Sequence, residues 1–303
     1  MNVAIIDVGT NSTNLLVQDS NGADLARVIA TTRLGDTLQQ LGTLSTEAIA
    51  RTVDTIASHL DVAASHNASH IVITGTAACR RASNTQQFID AVQARTGITV
   101  EVLSEKDEAT FAFRGALTGL PEVLAPTLVI DIGGGSTEYT VGVLDAEMSA
   151  SIPFGSVTGT ASHITTDRAR PEDLTNLIGA VSDELEEIQR AIPAINSPAR
   201  AIGIAGTIVT IAAVEIGLAS FDDAALHGFV LTRDAAEDVF RTMATETLAQ
   251  RVLNPGLSAD RADIIVAGCC ILVSTMRRLR LDEIIISTRS LLDGIAARER
   301  LNP

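Results

Sequence analysis

One motif occurs twice in this chain, and the repetition narrows the folds open to it. Val3 to Val17, VAIIDVGTNSTNLLV, and Thr127 to Val141, TLVIDIGGGSTEYTV, each lead an apolar β-type stretch into an aspartate, a glycine-bearing turn and a second β-type stretch. Aligned on the aspartates, Asp7-Val8-Gly9-Thr10-Asn11-Ser12-Thr13-Asn14 lies over Asp131-Ile132-Gly133-Gly134-Gly135-Ser136-Thr137-Glu138. Asp, Gly, Ser and Thr agree at four positions. Strand, tight turn and strand, repeated at this distance, imply two related domains facing one cleft, each offering a similar loop. Two unrelated strand-turn-strand units are the alternative.

The turns carry a chemical reading as well. Glycine lets backbone approach a ligand closely and point several N–H groups one way, which suits phosphate oxygens, while Asp131 and Glu138 bring carboxylates of the kind a divalent metal takes. Read alone, Gly133-Gly134-Gly135 is also compatible with a plain hairpin.

Composition sets the surroundings. With 303 residues, 46% of them hydrophobic, the chain can bury a real core and divide into about two domains. No run of eighteen uncharged apolar residues and no basic stretch after Met1 is present, so neither a membrane span nor a signal peptide is expected, and a soluble, cytoplasmic protein is. Cys79, Cys269 and Cys270 form no C-x-x-C spacing and cannot all pair, which fits small core residues in a reducing compartment. A net charge of -15 argues against duplex nucleic acid or an anionic membrane as partner. A polyanionic substrate would need local attraction from arginines, loop amides and bound metal.

Along the chain, strands alternate with helices, the pattern of an α/β protein. Ser45 is placed to cap a helix from Thr46 to His66, and Asn84 one that runs to Arg95 and stops at Gly97. Ser104 with Asp107 resembles a capping box that opens a helix to Leu117, with Glu108 in its first turn. Pro121 and Pro126 bracket a linker, which divides the chain into 1–124 and 125–303. Strand Ala201 to Ala205 runs into Gly206-Thr207 and a helix. Ser258 is expected to cap a long apolar helix to Leu279, whose face is either core, the safer choice, or the contact of a homodimer.

Taken in order, Asp7 to Ser12, Thr76 to Asn84, Asp107-Glu108-Ala109, Asp131 to Glu138, Pro153 to Val157, Ala205-Gly206-Thr207, His227-Gly228, Pro255-Gly256-Leu257 with Arg261-Ala262-Asp263, and Ser287 to Gly294 resemble the successive motifs of one family. It is the exopolyphosphatase/guanosine pentaphosphate phosphatase (Ppx/GppA) family, in a short form that ends before the C-terminal helical domain of longer members. The resemblance implies a duplicated actin-like, ribonuclease H-like fold, two domains around a central cleft, each with a five-stranded mixed sheet. It also implies hydrolysis of terminal phosphates from inorganic polyphosphate or guanosine pentaphosphate, with magnesium (Mg2+) and no organic cofactor.

Carried onto this sequence, the resemblance makes Glu108 the carboxylate that positions the attacking water and Glu138 the second catalytic carboxylate. Asp131 and Glu138, with Asp7 as the equivalent of Asp131, become the metal candidates. Gly9, Thr10, Asn11 and Ser12, Gly133, Gly134, Gly135 and Ser136, Gly155 and Ser156, and Gly206 and Thr207 would cradle phosphates through N–H and hydroxyl groups. Arg80 is the first choice for a charge-assisted phosphate contact, with Arg33 and Arg289 behind it. Read without the family, Glu108 would serve as helix-start dipole complementarity, the acids of the turn as hairpin solvation, and Gly206-Thr207 as an ordinary strand-to-helix turn. The five histidines show no metal-ligand spacing; four read as surface or helix-end residues and His227 as structural.

Three positions depart from the family pattern. Asn14 stands where many members carry Arg or His, Glu105 where Gly is usual, and Asp107 in place of the first Glu of Glu-Glu-Ala. The expected function is an exopolyphosphatase. A guanosine pentaphosphate 5′-phosphatase is the alternative, and a non-catalytic phosphate-binding regulator a further one. A sugar or acetate kinase would share the fold, but no sugar-reading segment stands out.

Overall fold

The structure, a computed structural model, describes residues 1–301. Two compact units divide the chain, and each holds one mixed β-sheet.

The first unit is built from β1 (Asn2–Val8), β2 (Ser12–Gln18), β3 (Asp24–Thr31), β4 (Ala68–Gly75) and β5 (Val100–Val102), in the order β3-β2-β1-β4-β5. β1 is buried from Val3 to Val8, and its alternation serves two cores at once. Ala4, Ile6 and Val8 face one apolar cluster, which includes Val53 and Ile56 of the helix Thr46–Ser65. Val3 and Ile5 face another, made with Leu291, Leu292 and Ile295. A strand covered on both faces reads as a nearly continuous apolar run, as this one does. Ser45 caps the helix Thr46–Ser65 as expected, accepting from the Ala48 N–H at 3.2 Å.

The second unit holds β6 (Thr127–Ile132), β7 (Thr137–Gly142), β8 (Ala146–Ile152), β9 (Arg200–Ile204), β10 (Val230–Thr232) and β11 (Glu283–Ile286), ordered β10-β11-β9-β6-β7-β8. In each unit a strand (β1, β6) pairs antiparallel with the next (β2, β7) and parallel with a later one (β4, β9), and the third strand (β3, β8) forms an edge. This is the duplication that the repeated motif implied. The second sheet has six strands rather than five, because the short β10 adds antiparallel to β11.

The division of the chain differs from 1–124 and 125–303. The first unit comprises Met1–Gly115 together with the helix Leu291–Leu301, and the second is Ala116–Ser290. Residues around Pro121 and Pro126 belong to the second unit because Arg200 donates to the Pro121 carbonyl at 2.7 Å and the Ala199 N–H to that of Pro126 at 2.8 Å. The helix Leu291–Leu301 returns to the first unit for two reasons. Its apolar stripe closes the cluster of Val3, Ile5, Leu16 and Phe111, and Asp293 takes a buried ion pair from Arg27. Gly294 lets it lie against the chain, since a Cβ there would fall 2.0 Å from the Phe111 carbonyl oxygen.

Other expectations shift in detail. The apolar helix begins at Ile265 rather than at Ser258 and runs to Arg278. It is buried from Ile265 to Met276, which makes it core. Asn84 makes no capping bond; its amide instead clasps the backbone N–H and carbonyl of Leu44. His59 is not a surface residue: it is buried against the Thr13 carbonyl, and burial lowers its pKa. All three cysteines are free and buried, and burial pushes the Cys79 and Cys270 thiols up to about 12, so they are inert.

Candidate active site

The first glycine turn is closed by the Gly9 N–H donating to the Ser12 carbonyl at 2.9 Å. Asp7 ends the apolar run of β1, is 8% exposed, and accepts from the Thr74 hydroxyl of the neighbouring β4 at 3.3 Å. Burial, and then the negative charge of Glu108, raise its pKa to about 7. Within the turn Thr10 and Asn11 are buried. The Asn11 carbonyl accepts from the N–H groups of Thr32 and Arg33, which fixes the loop. Both polar atoms of the Asn11 side chain, and Oδ1 of Asn14, lack a hydrogen bond although buried. Such atoms are costly in a finished core and ordinary in a site that receives polar groups.

Glu108 stands in the first turn of the helix Glu105–Leu117, which Ser104 caps through the Asp107 N–H at 3.1 Å. Arg80 comes from the short helix Ala77–Arg81 that follows β4. Its Nη1 donates to Glu108 Oε2 at 2.5 Å and to the Leu103 carbonyl at 3.1 Å. Both side chains are largely covered, at 19% and 16% exposure. Burial raises the Glu108 pKa against the opposing pull of the Arg80 charge. The first unit thus gathers a desolvated carboxylate, an arginine and a second, protonatable acid.

The second turn repeats the closure, with the Gly133 N–H donating to the Ser136 carbonyl at 3.1 Å. Asp131 and Glu138 are directly opposite each other on β6 and β7, so both carboxylates lie on the same face of the sheet. Ser151 donates to Glu138 Oε1 at 3.1 Å and orients it. Gly155 and Ser156 lie against this turn, and part of their hydrogen-bonding capacity is used within it. The Ser156 N–H donates to the Gly133 carbonyl and the Val157 N–H to that of Gly134, each at 2.9 Å. A Cβ on Gly155 would lie 2.5 Å from the Gly134 carbonyl carbon. These two residues brace the glycine turn from behind.

In the second unit β9 ends at Ile204 and passes directly into the helix Ala205–Ile216, whose first turn holds Gly206 and Thr207. Ala205 takes φ +65°, in the left-handed region that an alanine rarely enters, and so turns the chain sharply into Gly206 and Thr207. The guanidinium of Arg261 lies over Gly206, where a Cβ would be 2.3 Å from Nη2, and burial lowers its pKa. A desolvated guanidinium at a helix start is suited to an anion. The sequence showed Arg261 only as part of a motif, with nothing to separate it from other arginines. Arg289, by contrast, donates to Asp223 at 2.8 Å.

Among the described residues no three His, Cys, Asp or Glu side chains group as a metal site. The donor set of Asp131 and Glu138 nevertheless fits magnesium, which takes one or two carboxylates and fills its other positions with water and phosphate oxygens.

The model of the Ppx/GppA phosphatase family matches residues 15–302. The chain belongs to this family. A curated relative in Mycobacterium tuberculosis, Exopolyphosphatase 2, is 30% identical over 313 aligned residues that cover 97% of each chain. The guanosine-5′-triphosphate,3′-diphosphate pyrophosphatase of Vibrio atlanticus is 28% identical over 97% of this chain and 58% of its own. The crystal structure of the Aquifex aeolicus Ppx/GppA protein matches with a TM-score of 0.83 at 27% identity, covering 100% of this chain and 98% of that one. The fold is therefore the actin-like one, and the protein is a phosphatase.

In this Ppx/GppA phosphatase, each unit carries its own part of the expected set. Asp7, Gly9, Thr10, Asn11, Ser12, Arg80 and Glu108 lie in the first; Asp131, Gly133 to Ser136, Glu138, Gly155, Ser156, Gly206 and Thr207 lie in the second.

Proposed function

We propose that this phosphatase is an exopolyphosphatase, releasing orthophosphate from the end of an inorganic polyphosphate chain. The observation that carries the reading is the Glu108–Arg80 pair: a carboxylate made more basic by burial, held beside a cation suited to phosphate. The 30% identity to Exopolyphosphatase 2 across nearly the whole chain supports the polyphosphate substrate.

The step balances simply. A water oxygen forms a bond to the terminal phosphorus, the bridging P–O bond breaks, and the shortened chain leaves with the bond electrons. The proton of the attacking water goes to Glu108. In the first unit Arg80 and the Gly9–Ser12 turn suit phosphate oxygens, by charge and by amides and hydroxyls; in the second the Gly133–Ser136 turn and the helix start at Gly206–Thr207, beside Arg261, offer the same chemistry. Asp131 and Glu138 are the residues assigned to hold magnesium, which when bound would neutralise charge on the phosphate oxygens. Asp7, buried beside the charge of Glu108, has its pKa raised to about 7, and a cation held there would favour its ionised form. These cations, amides and metal supply locally the attraction that a net charge of -15 does not. Free buried cysteines fit a reducing compartment, and the cytoplasm is the location proposed.

The Vibrio relative keeps a second substrate in view, guanosine pentaphosphate. Orthophosphate release with magnesium from short polyphosphate, long polyphosphate, guanosine pentaphosphate and ATP, assayed in parallel, decides between the two. Polyphosphate is expected to be the best substrate. Faster release from guanosine pentaphosphate would replace the proposal with the second reading, and no release from any of the four would favour a regulatory role.

A further inference from the structure

The Arg80–Glu108 pair is more than a meeting of opposite charges, because of how the guanidinium is divided. Nη1 has two hydrogens, and both are used: one on Glu108 Oε2 and one on the Leu103 carbonyl. The rest of the fork, Nε and Nη2, makes no hydrogen bond among the described residues. Nor is the anchor itself loose. Leu103 is 2% exposed at the end of β5, and its N–H donates to the Gly75 carbonyl at 3.0 Å. The Glu108 N–H donates to the Ser104 carbonyl at 2.9 Å. Arginine and glutamate are thus tied to the same strand ends from two sides.

We propose that Arg80 is a positioning residue for the base, joining Glu108 to the terminal phosphate through one rigid planar group. Its Nη1 fixes Oε2, which leaves Oε1 as the oxygen that takes the water's proton. Its Nε–Nη2 edge meets the phosphate in the parallel geometry that a guanidinium fork makes with oxyanions. The plane of the guanidinium then sets the distance between proton acceptor and phosphorus, the quantity on which a near-attack arrangement depends most. An ammonium group supplies the same charge from a single nitrogen, so it can serve the phosphate or the carboxylate and cannot hold them at a fixed separation. This inference rests on the proposed role of Glu108 as the base.

The experiment is a kinetic cycle on short polyphosphate with the wild type, Arg80→Lys, Glu108→Gln and the double variant, each confirmed folded by its thermal transition. Arg80→Lys is expected to lower kcat by about 100-fold while KM stays within about 3-fold, because charge is kept and placement is lost. In the Glu108→Gln background the same substitution is expected to cost less than about 3-fold in kcat, since no base remains to be placed. An equal kcat cost in both backgrounds, or a cost confined to KM, would overturn the proposal and leave Arg80 as a phosphate clamp alone. A Glu108→Gln enzyme with wild-type kcat would instead remove Glu108 as the base, and the inference with it. Arg80→Gln gives a second route if lysine perturbs the fold: its kcat loss must also shrink when Glu108 is already Gln.

Discussion

The two glycine turns share a backbone and differ in chemistry. Each is closed by a glycine N–H on a serine carbonyl, and in each a Cβ on that glycine would lie 3.3 Å from the same oxygen. Yet the residue across the ladder from the aspartate is Asn14 in one and Glu138 in the other. Opposite an amide, Asp7 is buried and holds its proton up to about pH 7. Opposite a second acid, Asp131 shares a half-buried sheet face with a carboxylate that Ser151 orients. Duplication preserved the hairpin, whose bonds are backbone to backbone, and left the side chains free to part ways. One copy sets its aspartate against an amide; the other sets it against a second carboxylate.

The sharpest way to break this contrast is through activity. Glu108→Gln should lower orthophosphate release by about a thousandfold at saturating magnesium. Glu138→Gln should recover part of its loss as magnesium is raised, and magnesium dependence unchanged from wild type would dissolve the division of labour. The acid side of the wild-type pH–rate profile should lie above the ordinary carboxylate range, because burial raises the Glu108 pKa and the base form is lost as pH falls through it.

Next in size is a stability effect confined to the first hairpin. The Asp7 pKa rises from 3.8 to about 7 on folding, so the native state keeps a proton that the unfolded chain has released. Stability is therefore lost as pH rises from about 4 to 7, by about 4 kcal/mol at 1.36 kcal/mol per unit, and the penalty is complete above pH 7. Asp7→Asn should match the wild type near pH 4 and be more stable at pH 8 in urea titrations. A gain of the same size in Asp131→Asn would mean that the two aspartates are alike after all.

Gly155→Ala should cost about 1–3 kcal/mol, because its methyl group meets the backbone of Gly134 with no flexible side chain to yield. The first hairpin's Gly9→Ala meets only the Ser12 carbonyl, at 3.3 Å, and should cost less in the same melts. The smallest effect is expected of Asn14→Ala. Its amide oxygen, buried and without a hydrogen bond in the protein, offers a single neutral acceptor to the site, so its loss should raise KM by no more than about 10-fold and leave kcat within about 3-fold of wild type. A collapse comparable to that of Glu138→Ala would show the first hairpin to be a second metal-side element.

Much of this was legible in residue order because it depends on local pattern. The alternating run of β1, the Ser45 cap and the glycine turns are set by neighbours in sequence. Destinations were not. The stripe Leu291, Leu292 and Ile295 announces a buried face without saying which sheet will cover it, so a linear division assigned the helix to the wrong unit. β10 has three residues, and its place at the edge beside β11 is set by pairing rather than by its own pattern. The pairing of Arg80 with Glu108, 28 positions apart, and the seat of Arg261 over Gly206 arise only when separate strand ends converge. Ser156 showed a hydroxyl and an amide next to a glycine, but not that the amide was already committed to Gly133.

The helix Leu291–Leu301 also imposes an order of events. As the chain leaves the ribosome, β1 and β2 emerge before Ala116–Ser290, but part of the cover over Val3, Ile5 and Leu16, the stripe Leu291, Leu292, Ile295 and Ala296, is made only after it. The uninterrupted unit can close on itself during synthesis; the unit that holds β1 must wait with one sheet face only partly covered, by Leu103 and Phe111. The half that begins first is thus the half that finishes last.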